Sequence, residues 1–284
     1  MVALKYPEIN ESLESRTLYV VATPLGNLGD ITLRALYVLG NVRAILCEDT
    51  RRTATLCRYY DINTPLMSFH SHSPESRFAE IKEILQTEAL ALVSDAGTPC
   101  ISDPGAKLVA ELVDEGFNVR PVPGPSALTA ALSASGLDTR EFTFRGFLGK
   151  KGLKNKVKTI MDREELQVVY ESPNRLAELL EIIKDIDPKR QLVVTRELTK
   201  VFEEFYRGTA EECHTYFTSK EVKGEITLII SGKSSGDYSE EDLAKLIQEA
   251  LDSGETLSKA AKRLAKELGV PKNAVYEIGL KLTE

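Results

Sequence analysis

Cysteine is scarce in this sequence: Cys47, Cys57, Cys100 and Cys213 are the only four in 284 residues. No two stand at a C-x-x-C spacing, which argues against a disulfide framework and a zinc site and predicts free thiols. Long hydrophobic runs are missing as well. None approaches the roughly 18–20 apolar residues that cross a bilayer. Met1 to Arg16 is polar, with Glu8, Glu11 and Glu14 and none of the apolar core of a signal peptide, so a cytoplasmic protein is expected. Phosphate-binding fingerprints are absent too. Without G-x-G-x-x-G or G-x-x-x-x-G-K-[ST], dinucleotides and P-loop triphosphates lose their usual cradle. There is no G-x-S-x-G elbow to support serine hydrolase chemistry. His70-Ser71-His72 has no acid triad or cysteine pair nearby, and no metal site is expected.

What the chain does have is a set of rigid loops at the ends of apolar runs. Ala89-Leu90-Ala91-Leu92-Val93 leads straight into Ser94-Asp95-Ala96-Gly97-Thr98-Pro99-Cys100-Ile101-Ser102-Asp103-Pro104-Gly105, and a helical pattern follows to Glu115. In open α/β sheets small ligands sit at such strand ends. Glycines there let a backbone approach a ligand, while prolines order the loop beforehand. Leu18–Ala22 ends in a second such loop, Thr23-Pro24-Leu25-Gly26-Asn27-Leu28-Gly29-Asp30. Arg43–Cys47 ends in Glu48-Asp49-Thr50-Arg51-Arg52, where two arginines in a helix's first turn oppose the dipole preference. With no phosphate cradle, the pocket these loops rim suits a nucleoside carrying no phosphates.

Apolar runs and helical patterns alternate through the first half, which predicts βαβ units and a mainly parallel sheet. Pro121-Val122-Pro123-Gly124-Pro125 then reads as an interdomain hinge. The runs beyond it (142–144, 166–170, 192–195, 203–206 and 226–230) have fewer helices between them, which predicts a mixed sheet. The expected organisation is a tail at 1–16, α/β domains at 17–124 and 125–232, a linker at 233–239 and a helical segment at 240–284. Within that segment, Ala260 to Leu268 and Ala274 to Leu282 flank a Gly-containing turn, as in a helix-turn-helix.

The net charge of −7 is unevenly spread. Arg140 to Ile160 holds seven basic residues and one acid, so this window is +6 and the other residues together carry −13. Local charge governs phosphate attraction better than the total, because salt screens charges beyond about 10 Å. A solvated basic loop is the bland reading of the window, and an RNA-facing surface the functional one.

The loops at 23–30, 48–51 and 94–105, with Val122-Pro123-Gly124-Pro125-Ser126-Ala127 and Tyr170-Glu171-Ser172-Pro173-Asn174-Arg175, together resemble the ribosomal RNA small subunit methyltransferase I family. That family lies in the tetrapyrrole-methylase-like group of S-adenosylmethionine (SAM) enzymes. The resemblance runs from Thr17 to Gly232, and the helical C-terminal segment also fits. It implies two α/β domains with SAM between them, a homodimer, and 2′-O-methylation of a cytidine ribose in the decoding region of 16S ribosomal RNA. On that reading SAM is held by Pro24, Leu25, Gly26, Asp95, Ala96, Gly97, Thr98, Ser102, Asp103, Ser126, Ala127, Tyr170, Glu171 and Ser172. Glu48, Asp49 and Glu171 are the catalytic candidates, and Arg51, Arg52, Arg145, Lys150, Lys151 and Lys154 the RNA-facing ones. Two rivals stand beside it: a methylase of a small molecule such as a tetrapyrrole intermediate, and a non-catalytic RNA-binding module.

Overall fold

A computed structural model describes residues 12–233, 240–268, 270 and 272–283. The apolar runs of the first half become β1 (Thr17–Val21), β2 (Ala44–Cys47), β3 (Leu66–Ser68), β4 (Ala89–Leu92) and β5 (Asn118–Val122). They form one sheet in the order β3-β2-β4-β1-β5, and every neighbouring pair is parallel. Strands covered on both faces have no polar side to show water, and β2 and β4 are buried at every residue. The covers are α1 (Leu33–Asn41), α2 (Thr50–Tyr59), α3 (Glu75–Leu85) and α4 (Ala106–Asp114). One core layer joins Tyr19, Val21, Val38, Leu39 and Ile45. The other joins Leu18, Leu46, Phe78, Ile81, Leu85 and Leu108 on the opposite face. Because all five strands run one way, their C-terminal ends and the loops after them gather along a single edge.

The second sheet contains β6 (Phe142–Phe147), β7 (Leu166–Glu171), β8 (Gln191–Arg196), β9 (Glu204–Thr209) and β10 (Ile226–Ile230), in the order β6-β7-β10-β8-β9. Only β6 and β7 pair parallel, and the other pairs are antiparallel. One face carries α6 (Leu153–Met161), α7 (Pro173–Ile186) and α8 (Ala210–Thr218). The other carries Ala131 and Leu132 of α5 (Ala127–Ser133) against Val168, Val193 and Ile229. Leu25, from the loop after β1, packs into this same layer and ties the first domain to the second.

The basic window is not a loop. It comprises Arg140 and Glu141, all of β6, a turn and most of α6, which buries Leu153, Val157, Ile160 and Met161 and turns its lysines outward. At the C-terminus, α9 (Glu240–Asp252), α10 (Leu257–Leu268) and α11 (Lys272–Thr283) share a core of Leu243, Ile247, Ala261, Leu264, Val275 and Ile278. Most of the expected linker, 234–239, lies outside the described residues, as does the start of the tail.

Candidate active site

The loop after β4 is held in place before any ligand arrives. Thr23 and Gly97 exchange backbone hydrogen bonds, both 2.9 Å, which fastens it to the loop after β1. The Thr98 hydroxyl donates to the Pro125 carbonyl at 3.0 Å, which fastens it to the hinge. Gly97 sits at φ +80°, and a Cβ there would stand 3.1 Å from Leu25. Cys100 and Ser102 also have positive φ, +68° and +66°, which is uncommon for residues with side chains. Backbone strain of this kind persists only where the surroundings over-determine it, and it clusters at ligand sites.

These clamped loops wall a cleft between the two sheets. A cavity of 340 Å³ is lined by Asp95, Ala96, Gly97, Thr98, Ser102 and Asp103 from the first domain. Ser126, Ala127, Tyr170, Glu171 and Ser172 line its other side. A second cavity of 300 Å³, which includes Pro24 and Gly26, shares Leu25, Arg52 and Asp95 with it. Every residue proposed to hold SAM therefore lines one or the other of these two neighbouring cavities. The same wall includes Ile101, Phe147, Pro173 and the stretch Gly224-Glu225-Ile226-Thr227, none of them anticipated. Gly224, at φ +93°, lies so close to the Glu197 side chain that a Cβ would meet it. Gly224 and Glu225 stand just before β10, whereas the loops read from sequence all follow their strands.

Carboxylates dominate the lining of the cleft, and Arg52 stands on its wall. Glu171 is 2% exposed. Its Oε1 accepts from the Ser172 amide at 2.7 Å and lies 3.5 Å from Arg175, while its Oε2 is buried without a partner among the described residues. Burial, reinforced by Glu48, Asp95 and Glu225, pushes the Asp103 carboxyl up to about 6. Asp49 caps α2 by accepting from the Arg51 amide at 2.9 Å and also pairs with the Arg51 guanidinium, which holds its carboxyl down at about 2. Arg52 reaches Asp95 at 3.4 Å. Those two acids offset the arginines that run against the dipole of α2. Glu48 is exposed at the end of β2.

Among the cations, Arg51 is 90% exposed at the side chain and Arg52 62%. Arg145 donates to Gln167 at 2.8 Å and, with Phe147 and Lys156, lines a shallow recess of 310 Å³ that adjoins the cleft through Phe147. Lys150, Lys151 and Lys154 stand exposed where α6 begins. His70 and His72 form a local turn, with the His72 amide donating to His70 Nδ1 at 3.2 Å. No group of three or more possible metal-ligating side chains occurs among the described residues. No helix among them is long and apolar enough to cross a membrane.

The comparisons with known proteins now bear on this geometry. The Tetrapyrrole (Corrin/Porphyrin) Methylases pattern matches residues 17–214. A protein of Synechocystis sp. (strain PCC 6803) called ribosomal RNA small subunit methyltransferase I is 42% identical over 272 residues, 93% of this chain and 98% of that one. Its counterpart in Bacillus subtilis is 42% identical over 270 residues, 92% of each. The chain belongs to the ribosomal RNA small subunit methyltransferase I family. Its fold is that of the tetrapyrrole methylases. The structure of uroporphyrin-III C-methyltransferase from Thermus thermophilus, solved with S-adenyl homocysteine, matches with a TM-score of 0.55 at 19% identity, covering 76% of this chain and 97% of that one.

The methyl donor is SAM, and the cleft fits it on three observations. Its volume lies in the small-ligand range of roughly 300–1,000 Å³. Its acids suit a ligand bearing an ammonium and a sulfonium. The unpartnered Glu171 Oε2 is a buried acceptor left for a ligand donor.

Proposed function

We propose that this chain transfers the methyl group of SAM to the ribose 2′-oxygen of a cytidine in the decoding region of 16S ribosomal RNA. The observation that carries the reading is an acid-lined cleft with Arg52 on its wall, in a chain that also exposes Arg51, Arg145, Lys150, Lys151 and Lys154. A small uncharged or anionic acceptor, such as a tetrapyrrole intermediate, needs no positive surface of that extent. The relatives' name supports an RNA substrate, and a ribosomal substrate implies work in the cytoplasm. A homodimer completes the proposal, and a monomeric mass by analytical ultracentrifugation would reject that part.

When bound, SAM supplies a methyl group on a positively charged sulfur, already activated for transfer. The task left to the chain is to hold the ribose hydroxyl, orient it and accept its proton. Alignment contributes roughly 7–11 kcal/mol at best, and a positioned base adds about 10²–10⁴-fold in rate. Among the three candidate bases, Asp49 is the weakest acceptor at neutral pH, since its carboxylate is committed to Arg51 and the α2 cap. Glu48 is accessible beside Asp103, and Glu171 offers a free oxygen inside the cleft.

The test is methyl incorporation from labelled SAM into 30S subunits, naked 16S RNA and a tetrapyrrole acceptor, followed by mapping of alkali-resistant linkages. Label in a ribose of the small-subunit RNA supports the proposal. Label only in the tetrapyrrole, or in a base, overturns it.

A further inference from the structure

Five carboxylates surround the cleft, and they are not equivalent. Asp95 has Arg52 at 3.4 Å, Glu225 has Lys200 at 3.1 Å and Glu171 has Arg175 at 3.5 Å. Glu48 is exposed. Asp103 lines the cavity half-buried, and among the described residues its carboxylate has neither an ion pair nor a hydrogen bond. The loop that carries it is fixed by Thr98 on Pro125 and by the close packing of Gly105, where a Cβ would stand 2.7 Å from Leu92. Asp103 therefore sits on a loop anchored on both sides of it. The unpartnered, buried Oε2 of Glu171 in the same cavity independently marks the space as a ligand site.

The donor and its spent product differ by one methyl group and one positive charge. Shape alone separates two such ligands weakly, whereas a fixed carboxylate in a partly buried site separates a cation from a neutral thioether strongly. We propose that Asp103 makes this site select by charge, favouring the sulfonium of SAM over the thioether of S-adenosylhomocysteine (SAH) and so easing release of the product. The inference rests on the cleft being the place where SAM binds.

The groups facing Asp103 are Glu48, Asp95 and Glu225, together with Cys100 and Tyr170. Burial raises the Cys100 thiol and pushes the Tyr170 hydroxyl up to about 12, so both stay neutral across the physiological range. With its carboxyl raised to about 6, Asp103 is mostly ionised at neutral pH and neutral in mild acid. A bound cation favours the ionised form, so SAM entering near pH 6 expels a proton and loses affinity as the pH falls. The amino and carboxyl groups common to SAM and SAH drop out of the comparison between them.

The experiment is calorimetric titration of the full chain with SAM and with SAH between about pH 5 and about pH 8, in two buffers of different ionisation enthalpy. Affinity for SAM should fall about tenfold more than affinity for SAH on going from about pH 7.5 to about pH 5, with proton release seen for SAM alone. Asp103→Asn should lose both the preference for SAM over SAH and the pH dependence of that preference, whatever its effect on the affinity the two ligands share. Parallel pH curves for the two ligands in the parent chain overturn the proposal, as does a difference that persists in Asp103→Asn. If neither ligand binds at any pH, the placement of the donor fails first and takes this inference with it.

Discussion

On the proposed function, the interior of the cleft and the exposed cations outside it meet their ligands by different physics. Inside, Asp95 and Asp103 sit on a clamped loop and Glu171 ends β7, and Gly97 lies so close to Leu25 that a methyl group would crowd it. Outside the cleft lining, Arg51 and the lysines that begin α6 stand in solvent. A buried, pre-ordered contact is worth much and responds little to salt. An exposed charge is worth little alone, adds to its neighbours, and fades with ionic strength. The difference teaches that single substitutions should injure the donor site, whereas the RNA surface should yield only to several at once.

The harshest break of that comparison is Glu171→Ala. It removes the carboxylate beside Arg175, whose side chain is 17% exposed and whose Nε has no partner among the described residues, and leaves that guanidinium only its bond to the Gly149 carbonyl at 2.9 Å. Removing one member of a buried pair costs about 3 kcal/mol or more, which denaturant unfolding should show directly. Glu171→Gln should recover part of that loss. A parent-like unfolding midpoint for Glu171→Ala would mean that the interior is less tightly coupled than its burial suggests.

Gly97→Ala comes next. A side chain at φ +80° costs roughly 1–2 kcal/mol, and the new Cβ presses on Leu25, which plugs the second domain's core. SAM affinity should drop about tenfold by calorimetry, the equivalent of roughly 1.4 kcal/mol. Unchanged affinity would show that the loop bends at no expense to the site.

The two regions were unequally legible from sequence. The donor side announced itself because parallel strands read as short apolar runs and each ligand loop carried proline and glycine at a strand end. The parallel sheet, the mixed second sheet and the three terminal helices follow from that pattern. The cationic surface was harder to read. Leu153, Val157, Ile160 and Met161 follow helical spacing, but the lysines between them invite a loop reading until the buried face of α6 is seen. α7 begins at Pro173, inside a motif that reads as a strand end, because proline in a first helical turn also resembles loop punctuation. Gly224-Glu225 went unnoticed because only the tertiary fold brings β10 beside β7, where the pair meets the cleft.

The cationic surface itself is tested by Lys150→Ala, Lys151→Ala and Lys154→Ala combined. All three side chains are exposed, so the fold should hold while RNA affinity falls about tenfold near 0.1 M salt and the slope of log K against log salt shrinks by about 2 units. Loss of the fold, or an unchanged slope, would break the assignment of this surface to phosphate contacts.

Asp49 belongs to both regions, and for that reason its substitution should have the smallest effect. It caps α2 and pairs with the exposed Arg51, and its amide donates to Asp95 Oδ1 in the interior at 3.2 Å. Asp49→Asn keeps a capping oxygen and the amide contact and gives up only the exposed ion pair, so Tm should fall by no more than roughly a few degrees. Asp49→Ala loses the cap as well and should fall further. Because its carboxyl is held down at about 2 rather than near its ordinary value, its stabilising contribution is complete above about pH 4 and fades as the pH drops toward 2. The Tm gap between parent and Asp49→Asn should therefore be flat from neutral pH to about pH 4 and close below it. A gap that closes near pH 6 instead would point to Asp103 as the titrating group, and would show that the interior and the exposed cations are coupled through Asp95.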